Sequence, residues 1–315
     1  MPLEPRVRRI VQVFNALGDR PEDTAMADRR AASAATSRRL GFLVMAPGPA
    51  PARQHEVVVP VDGGRIRVRI YRPHGVGPFP LYVFLHGGGW CQGTLDERDP
   101  RCRTASAGAG CVVASVDYRM APENTYPTPG EDCYAALLWL AAHADELDVD
   151  ATRIAVGGES AGANLAAVLT LMSRDRSGPA ICHQWLDVPA TDLTLSQPSI
   201  TSVPDGNLLD RQDIDRYLAA YLADPSQAAE PYASPLLDPD LGSLPSAWIM
   251  SAENDKLRDD GKAYADALSA AGVEVTYRRL EGHVHPSFAF TRLLPSAKAY
   301  EADAVAALKA AFARP

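Results

Sequence analysis

The segment Gly158-Glu159-Ser160-Ala161-Gly162 places a serine between two glycines where a predicted strand meets a predicted helix. A strand that turns directly into a helix holds such a serine in a strained conformation, with its hydroxyl exposed at the edge of the sheet. The glycines have no side chains that would collide across the turn. The pattern predicts a nucleophile, Ser160, with the Ala161 N–H at a helix N-terminus that stabilises negative charge. A glycine-rich packing turn is the alternative interpretation.

A glycine triplet follows an earlier apolar run. Residues 81–85 are typical of a buried strand, and they lead into His86-Gly87-Gly88-Gly89-Trp90. Successive glycines let the main chain bend so that adjacent N–H groups point into one cavity, where they can stabilise the oxyanion of a tetrahedral intermediate. The alternative, a phosphate-binding loop, is disfavoured because no Gly-Lys-Ser/Thr sequence follows. We predict an oxyanion hole here, with His86 bracing the loop.

Histidines that could accept the proton of Ser160 lie downstream of it, in the chain order of serine, acid and histidine that such sites have. His283 and His285 both follow the last predicted strand, and spacing alone does not choose between them. A metal-binding His-x-His pair is the alternative interpretation, but the sequence offers no third ligand. His183 lies inside a predicted strand, where we expect a histidine of the core.

A carboxylate is expected to hold the imidazole in the required tautomer and to stabilise its protonated form. Glu253-Asn254-Asp255 comes directly after an apolar strand at residues 247–252, and from the end of that strand a carboxylate can reach the histidine loop. We predict that Asp255 has this role. Asp187 and Asp192 are weaker candidates for the same role. Asp259 and Asp260 are predicted to cap the next helix.

The predicted elements around these residues alternate between strand and helix. Two β-rich runs at residues 55–61 and 65–71 flank Asp62-Gly63-Gly64, which is typical of a hairpin turn. An antiparallel start followed by alternating strands and helices predicts the α/β class, with a mostly parallel sheet flanked by helices. The further predicted strands are 81–85, 111–116, 153–156, 181–188, 247–252 and 274–280, and the helices are 130–147, 161–172, 259–271 and 295–312. In the first of these helices the predicted buried stripe is Ala135, Leu138, Trp139 and Ala142.

Two helical regions stand outside this alternation. Residues up to about 41 have helical periodicity, and a linker rich in Pro, Gly and Ala follows at 47–51. Between residues 190 and 235 a polar loop and a helix around 213–222 interrupt the repeat, and insertions of this length commonly form lids or binding loops. We therefore predict N-terminal helices in residues 1–45 and a catalytic domain in 46–315 with its insertion at about 190–235. The N-terminal stripe consists of Val7, Ile10, Val11, Phe14 and Leu17.

Composition limits the class of protein and its partners. Hydrophobic residues make up 46% of the chain and charged residues 22%, an ordinary balance for a folded protein. The net charge of −8 and the absence of a basic stripe predict no nucleic-acid partner. No apolar run is long enough to span a membrane, and residues 1–20 lack the apolar core of a secretory signal. Five cysteines without CxxC spacing favour a reducing compartment over a metal or disulfide framework. We expect a cytoplasmic protein without cofactor or metal.

Taken together, these motifs resemble the bacterial hormone-sensitive-lipase family of esterases, from about residue 57 to 288. Five ordered segments carry the resemblance: residues 86–90, Val116-Asp117-Tyr118-Arg119-Met120-Ala121-Pro122-Glu123, residues 158–166, Ala252-Glu253-Asn254-Asp255-Lys256-Leu257-Arg258-Asp259-Asp260-Gly261, and Gly282-His283-Val284-His285. The resemblance implies a catalytic triad and three oxyanion donors, namely Ser160, Asp255 and His285, and the N–H groups of Gly88, Gly89 and Ala161. Trp90, next to these glycines, is predicted to bind substrate.

The resemblance also implies an architecture. It is the α/β-hydrolase fold with a helical cap, built from residues 1–45 and 190–235, and a homodimer is expected by analogy. The segment with Asp117, Arg119 and Glu123 is expected to form a structural charge network. The chain departs from the family pattern in two places. Glu159 stands where the family usually has Asp, and Pro286-Ser287 stands where it usually has Gly-Phe, so the loop beside the histidine is stiffer.

The chemistry implied is that of a serine carboxylic ester hydrolase. It would cleave short- to medium-chain acyl esters of small molecules through an acyl-enzyme intermediate. An acyltransferase or an amide hydrolase with the same triad is the first alternative. A non-catalytic small-molecule-binding protein is the second, because the plant gibberellin receptors share this scaffold but lack the catalytic histidine, which this sequence retains at position 285.

Overall fold

The computed structural model describes residues 2–16 and 24–314, and within this part of the chain eight strands form one sheet. The strands are β1 Arg53–Val61, β2 Gly64–Arg72, β3 Phe79–Leu85, β4 Val112–Asp117, β5 Val149–Glu159, β6 Ile181–Asp187, β7 Ser246–Ala252 and β8 Val275–Leu280. Their order in the sheet is β1-β2-β4-β3-β5-β6-β7-β8. Strand β2 pairs antiparallel with β1 and β4, whereas all other neighbours are parallel. The predicted α/β class with a mostly parallel sheet is confirmed.

The predicted hairpin joins the first two strands. Val61 lies opposite Gly64, which leaves Asp62 and Gly63 as the turn. Gly63 has φ 67°, a left-handed conformation that costs glycine little because it has no Cβ.

Helices cover both faces of the sheet. Within the described residues they are α1 Pro5–Ala16, α2 Met26–Val44, α3 Asp99–Ala109, α4 Thr128–Ala142, α5 Ala144–Leu147, α6 Ala161–Asp175, α7 Ser199–Ser202, α8 Arg211–Tyr221, α9 Arg258–Ala270 and α10 Pro295–Phe312. Side chains of α4, α6 and α9 pack in one core with Leu81 and Val83 of β3. Side chains of α3 and α10 pack in another with Tyr82 and Phe84.

Burial on both faces positions the ends of the strands. All seven residues of β3 are buried, and alternate side chains enter the two cores. Each large apolar side chain buried in this way contributes roughly 1.5–3 kcal/mol to stability. The carboxyl ends of β3, β5, β7 and β8 are therefore held firmly at one edge of the sheet, where the segments with the predicted site residues begin.

The buried side of α4 differs from the prediction. Leu138, placed in the predicted stripe, is 42% exposed, and Trp139 stacks on His143 with ring centroids 3.9 Å apart. The fully buried side chains are instead Cys133, Ala136, Leu137 and Leu140, while Trp139 is partly buried and packs against the same core. Both rows of this helix are apolar, so periodicity did not identify which one faces the sheet.

The predicted caps of α9 are also wrong. Leu257 occupies the N-cap position, and the first-turn N–H of Asp259 donates to the Ser199 hydroxyl of α7 at 3.0 Å. Asp259 pairs with its neighbour Arg258. Asp260 is fully buried and accepts hydrogen bonds from the N–H groups of Thr191 and Asp192, at 2.9 and 3.0 Å. It therefore joins α9 to the start of the insertion, which a cap prediction based on local sequence could not anticipate.

The N-terminal helices pack near the carboxyl edge of the sheet. Val7 and Val11 are buried in a cluster with Val284 and Phe290, and Phe14 stacks on the Phe290 ring at 5.9 Å. Leu17 of the predicted stripe lies outside the described residues. Helix α2 is tied to the glycine loop, because Arg30 donates hydrogen bonds to the carbonyls of Cys91, at 2.6 Å, and Ala121, at 2.7 Å, and forms an ion pair with Glu123.

The insertion contains α7 and α8, and α8 confirms the helix predicted around residues 213–222. Asp210 and Asp213 form a capping box at its start. Asn15 of α1 donates a hydrogen bond to the Gly206 carbonyl at 3.0 Å, so the N-terminal helices and the insertion are in contact.

Candidate active site

Ser160 lies at the sharp turn between β5 and α6. Its backbone has φ 54° and ψ −120°, a conformation that costs a non-glycine residue about 1–3 kcal/mol. Its N–H donates to the carbonyl of Asp187 at 2.8 Å, which attaches the turn to the end of β6. A Cβ at Gly158 or Gly162 would collide with the carbonyl oxygen of Leu85. Only glycine at both positions allows the turn to pack this closely.

His285 lies between the serine and the predicted acid. Its Nε2 is 2.9 Å from Ser160 Oγ, and its Nδ1 is 2.7 Å from Asp255 Oδ2. Asp255 is buried, and its other oxygen accepts the N–H of Leu257 at 3.0 Å. An ionised carboxylate can only accept, so the proton of the imidazole belongs on Nδ1 and Nε2 is free to accept the serine proton. The structure thus brings together all three residues.

His283 has different partners, although it is only two residues away. Its Nδ1 lies 2.8 Å from Ser287 Oγ and its Nε2 lies 2.8 Å from Ser296 Oγ. The Ser287 hydroxyl also accepts the N–H of Val284 at 3.0 Å. Burial lowers the pKa of His283 below its ordinary value. Geometry therefore distinguishes two histidines that sequence spacing did not.

The glycine loop presents free backbone donors beside Ser160. Gly88 and Gly89 have φ 121° and 60°, and the carbonyl of Gly88 accepts the N–H groups of Cys91 and Gln92 at 3.1 and 3.0 Å. None of the N–H groups of Gly88, Gly89 and Ala161 donates to another residue of the described chain. Such donors are available to a ligand oxygen.

His86 packs behind this loop. Its ring stacks on Tyr118 with centroids 4.4 Å apart, and the Tyr118 hydroxyl donates to the His86 carbonyl at 2.8 Å. The His86 ring contacts the Gly87 carbonyl and the Tyr118 hydroxyl and is not hydrogen-bonded to Ser160, as expected for a residue that braces the loop.

A cavity of about 40 Å³ adjoins Ser160. Trp90, predicted to bind substrate, lines it together with Gly89 and Ala161. The indole is buried and stacks on Tyr221 of α8, with ring centroids 4.4 Å apart. The insertion supplies most of the remaining wall as apolar side chains: Leu193, Leu195, Leu209, Ile214 and Leu218.

The two departures from the family pattern have partners in the structure. Glu159 is buried, and its Oε1 lies 2.5 Å from Arg98 Nε at the start of α3. Pro286 adopts helical dihedral angles directly before the short 3-10 helix Ser287–Ala289, and the contacts of His285 are intact. Sequence reasoning missed Arg98. The signal in the sequence was the place of Glu159 between a predicted buried strand and Ser160, where a buried carboxylate needs a cationic or hydrogen-bonding partner.

A buried ion pair lies beneath the nucleophile. The carboxylate of Asp187 contacts Arg101 and the Tyr300 hydroxyl, and the guanidinium lies over the rings of Trp185 and Phe288 at 4.7 and 5.1 Å. Burial raises the pKa of Asp187. Asp187 is thus occupied with Arg101, while its carbonyl holds Ser160. The other weaker candidate, Asp192, accepts hydrogen bonds from Thr194 and Ser196.

Lys256, next to the predicted acid, was also missed. It is only 4% exposed, its Nζ donates to the Val203 carbonyl at 2.8 Å, and it pairs with Asp205 at 3.0 Å. It therefore fastens the insertion to the loop that carries Asp255. Its role could not be predicted from periodicity, because its partners lie more than fifty residues away in the sequence.

The predicted charge network consists of separate pairs. Asp117 pairs with Arg67, Arg119 with Asp132, and Glu123 with Arg30. Each pair joins a different element to this segment, so the role is structural, but the three residues do not contact one another as a single network.

All five cysteines are free thiols, and four of them are buried. Among residues 2–16 and 24–314 no three His, Cys, Asp or Glu side chains are grouped as metal ligands. Nor does that part of the chain contain a helix long and apolar enough to cross a membrane.

Comparison with known proteins agrees with this geometry. Residues 82–289 match a family described as alpha/beta hydrolase fold. The chain belongs to this family. Carboxylesterase NlhH of Mycobacterium tuberculosis (strain ATCC 25618 / H37Rv) is 43% identical over 265 residues, which cover 82% of this chain and 83% of that protein. Carboxylic ester hydrolase LipN of the same strain is 42% identical, over 82% of this chain and 70% of that protein.

The similarity extends to solved structures. A hyperthermophilic esterase from the archaeon Pyrobaculum calidifontis superimposes with a TM-score of 0.93 at 36% identity, and the match covers 98% of this chain and 99% of that one. The predicted membership among the hormone-sensitive-lipase esterases is confirmed. The chain is a carboxylic ester hydrolase of the α/β-hydrolase family.

Proposed function

We propose that Ser160, His285 and Asp255 carry out ester hydrolysis through an acyl-enzyme, on esters with short- to medium-chain acyl groups. The observation that carries the proposal is the continuous chain of hydrogen bonds at 2.9 and 2.7 Å from the serine hydroxyl through the imidazole to the carboxylate. The esterase names of the relatives support the same reaction.

The first half-reaction forms the acyl-enzyme. Ser160 Oγ attacks the ester carbonyl carbon while its proton passes to His285 Nε2, and Asp255 stabilises the resulting imidazolium. The N–H groups of Gly88, Gly89 and Ala161 hold the oxyanion, and one such donor is commonly worth roughly 3–4 kcal/mol. When the tetrahedral intermediate collapses, the bond to the alkoxy oxygen breaks and that oxygen takes the proton from His285.

The second half-reaction releases the acid. Water gives a proton to His285 Nε2 as its oxygen attacks the acyl carbon, and the bond to Ser160 Oγ then breaks with return of that proton to the serine. The steps balance without a metal or cofactor, and the enzyme returns to its starting protonation state.

We propose that residues 1–45 and 190–235 form the cap over this site. Supporting contacts are the tether from Arg30 to the glycine loop and the anchor from Lys256 to the insertion. The apolar wall beside Ser160 and its volume of about 40 Å³ favour a small uncharged acyl group.

The test is a series of p-nitrophenyl esters from acetate to dodecanoate, measured on the wild type and on Ser160→Ala. We expect the wild type to be fastest on the shorter esters and Ser160→Ala to lose turnover by roughly 10⁶-fold. Ser269→Ala, on the exposed face of α9, is the matched control and should behave as wild type. Intact-mass detection of an acyl adduct on the wild type and not on Ser160→Ala supports the intermediate. Equal rates for Ser160→Ala and wild type would refute the nucleophile.

We further propose a cytoplasmic location and a homodimer. Free thiols at all five cysteines support a reducing compartment, and β8 is an edge strand that can pair with a second copy. Cell fractionation tests the first proposal, and light scattering coupled to gel filtration tests the second. A membrane or extracellular fraction, or a mass of one chain at micromolar concentration, would contradict them respectively.

A further inference from the structure

Two consecutive residues of the insertion line two different cavities. Leu209 lines the cavity of about 40 Å³ at Ser160, and Leu208 lines a cavity of about 390 Å³ next to Pro286. Leu208 has φ 69°, a left-handed conformation that is uncommon for leucine. The insertion thus passes between the two cavities at this point, and neighbouring side chains serve opposite sides.

The chemistry of the reaction assigns a half of the substrate to each side. The leaving alkoxy oxygen must face His285, because that imidazole supplies its proton. Pro286, which directly follows His285, lines the larger cavity. The oxyanion donors Gly89 and Ala161 line the smaller cavity together with the nucleophile. This arrangement would direct the alcohol group toward the larger cavity and the acyl group into the smaller one.

We infer that this enzyme acts on esters that join a small acyl group to a bulky, apolar, ring-containing alcohol, and that Leu208 and Leu209 separate the two halves. The inference rests on the proposed function, since it needs Ser160 and His285 in their catalytic roles. The cavity beside Pro286 is the larger of the two, at about 390 against 40 Å³.

The character of the larger cavity favours a ring. Phe14 of α1 and Phe290 line it, and their rings stack on each other, parallel to within 7°, so part of the cavity wall is aromatic. Leu40 and Val44 of α2 add aliphatic surface. The polar part of the lining comes from Ser33, Thr36 and Ser37 of α2 and from two charged residues, Glu97 and Arg98, of which Arg98 is paired with Glu159.

Fixed aromatic side chains form the wall of the smaller cavity on two sides. The Tyr217 ring lies against Gly89, and its hydroxyl is hydrogen-bonded to the Gln92 side chain. Trp90 is stacked on Tyr221. Aromatic groups fixed by hydrogen bonding or stacking yield less readily than free aliphatic chains, so a long acyl chain meets a resistant wall.

The experiment compares four esters of unactivated alcohols: ethyl acetate, ethyl octanoate, 2-naphthylmethyl acetate and 2-naphthylmethyl octanoate. Proton release in a pH-stat gives kcat/KM for each. We expect 2-naphthylmethyl acetate to exceed ethyl acetate by about tenfold or more, and each octanoate to fall below its acetate by about tenfold or more, the scale on which a few methylene contacts discriminate. Octanoates faster than acetates, or no gain from the naphthylmethyl group, would overturn the inference.

Two adjacent variants test the separation. Leu209→Ala should raise the octanoate-to-acetate ratio at constant alcohol, and Leu208→Ala should lower the naphthylmethyl-to-ethyl ratio at constant acyl group. If both variants change the same ratio, the two leucines do not divide the substrate. Thermal unfolding of each variant checks that it is folded.

Ser160→Ala distinguishes the two levels of failure. If it hydrolyses ethyl acetate as fast as wild type, the proposed function itself is wrong. If Ser160→Ala is inactive but the wild-type ester preferences are reversed, the catalytic proposal stands and only the assignment of the two cavities fails.

Discussion

The loop after β8 contains two regions that differ in chemistry although they share a residue type. The outer region is the part of the loop around His285, which contacts a carboxylate on one ring nitrogen and a serine hydroxyl on the other. The inner region is the part around His283, whose two ring nitrogens face serine hydroxyls, at 2.8 Å each. Two hydroxyls satisfy an imidazole without stabilising its protonated form, whereas a buried carboxylate does both. The carboxylate on one ring nitrogen is therefore as important for a catalytic base as the hydroxyl on the other.

Replacing the outer histidine should have the largest effect. His285→Ala removes the proton acceptor for Ser160, so kcat on p-nitrophenyl acetate should fall by roughly 10⁴–10⁶-fold, with the free energy of unfolding little changed. His74→Ala, an exposed histidine in the loop after β2, is the matched control. Turnover near that of the wild type in His285→Ala would remove the distinction between the two regions.

The carboxylate behind the outer histidine comes next. Asp255→Asn keeps the size of the side chain but presents an amide to Nδ1, so the imidazole loses its orienting charge and kcat should drop by roughly 10⁴-fold with KM less affected. Asp266→Asn on the exposed face of α9 serves as control, since that residue only pairs with Lys262. A loss confined to KM would contradict the assigned role.

His183 extends the comparison to the interior of the sheet. Burial lowers its pKa to about 4, against 6.5 for an ordinary histidine, and its Nδ1 lies 2.9 Å from Ser246 Oγ. Since the unfolded chain binds this proton at a higher pH than the folded one, the contribution of His183 to stability is complete above pH 6.5 and falls by about 3 kcal/mol as the pH decreases toward 4.

Urea unfolding between pH 7 and 4 measures this decline. His183→Asn should flatten the curve, whereas His74→Asn should leave its slope unchanged. Parallel curves for His183→Asn and the wild type would show that the buried imidazole takes no part in it.

Replacing the inner histidine should have the smallest effect. His283→Asn loses at least one of two buried hydrogen bonds, so we expect about 1–3 kcal/mol less stability and a kcat on the scale of the wild type. Thermal unfolding and p-nitrophenyl acetate turnover are the two measurements. A collapse of kcat equal to that of His285→Ala would reverse the assignment of the base.

Local patterns predicted most of the scaffold. Helix α10 begins at Pro295 and ends at Phe312 as expected, because proline is favoured at a first helical turn and the apolar spacing ends there. The strands before the site were recognisable as short apolar runs, since burial on both faces leaves no alternation to interpret. The order of the motifs then predicted which residues would meet at the carboxyl edge.

The remaining features depend on contacts between distant segments. Spacing alone did not choose between His283 and His285; the family resemblance chose His285, and the structure shows that this ring contacts Ser160. Asp260, Arg98 and Lys256 all bind partners on other elements, at Thr191, Glu159 and Val203. Helix α4 is apolar on more than one row, so its buried side likewise depends on how it packs against the sheet and cannot be predicted from periodicity.

The cysteines offer a practical consequence. Cys91, Cys102, Cys111 and Cys133 are enclosed, and burial raises the pKa of the first two to about 12, so little of their reactive thiolate forms at neutral pH. Cys182, at the beginning of β6, is only partly covered. A maleimide dye should therefore attach there first, giving one labelled position without any engineered residue. The four buried cysteines should react with the dye only when the core unfolds. The number of labels per chain, counted by mass spectrometry over time, would therefore follow the unfolding rate.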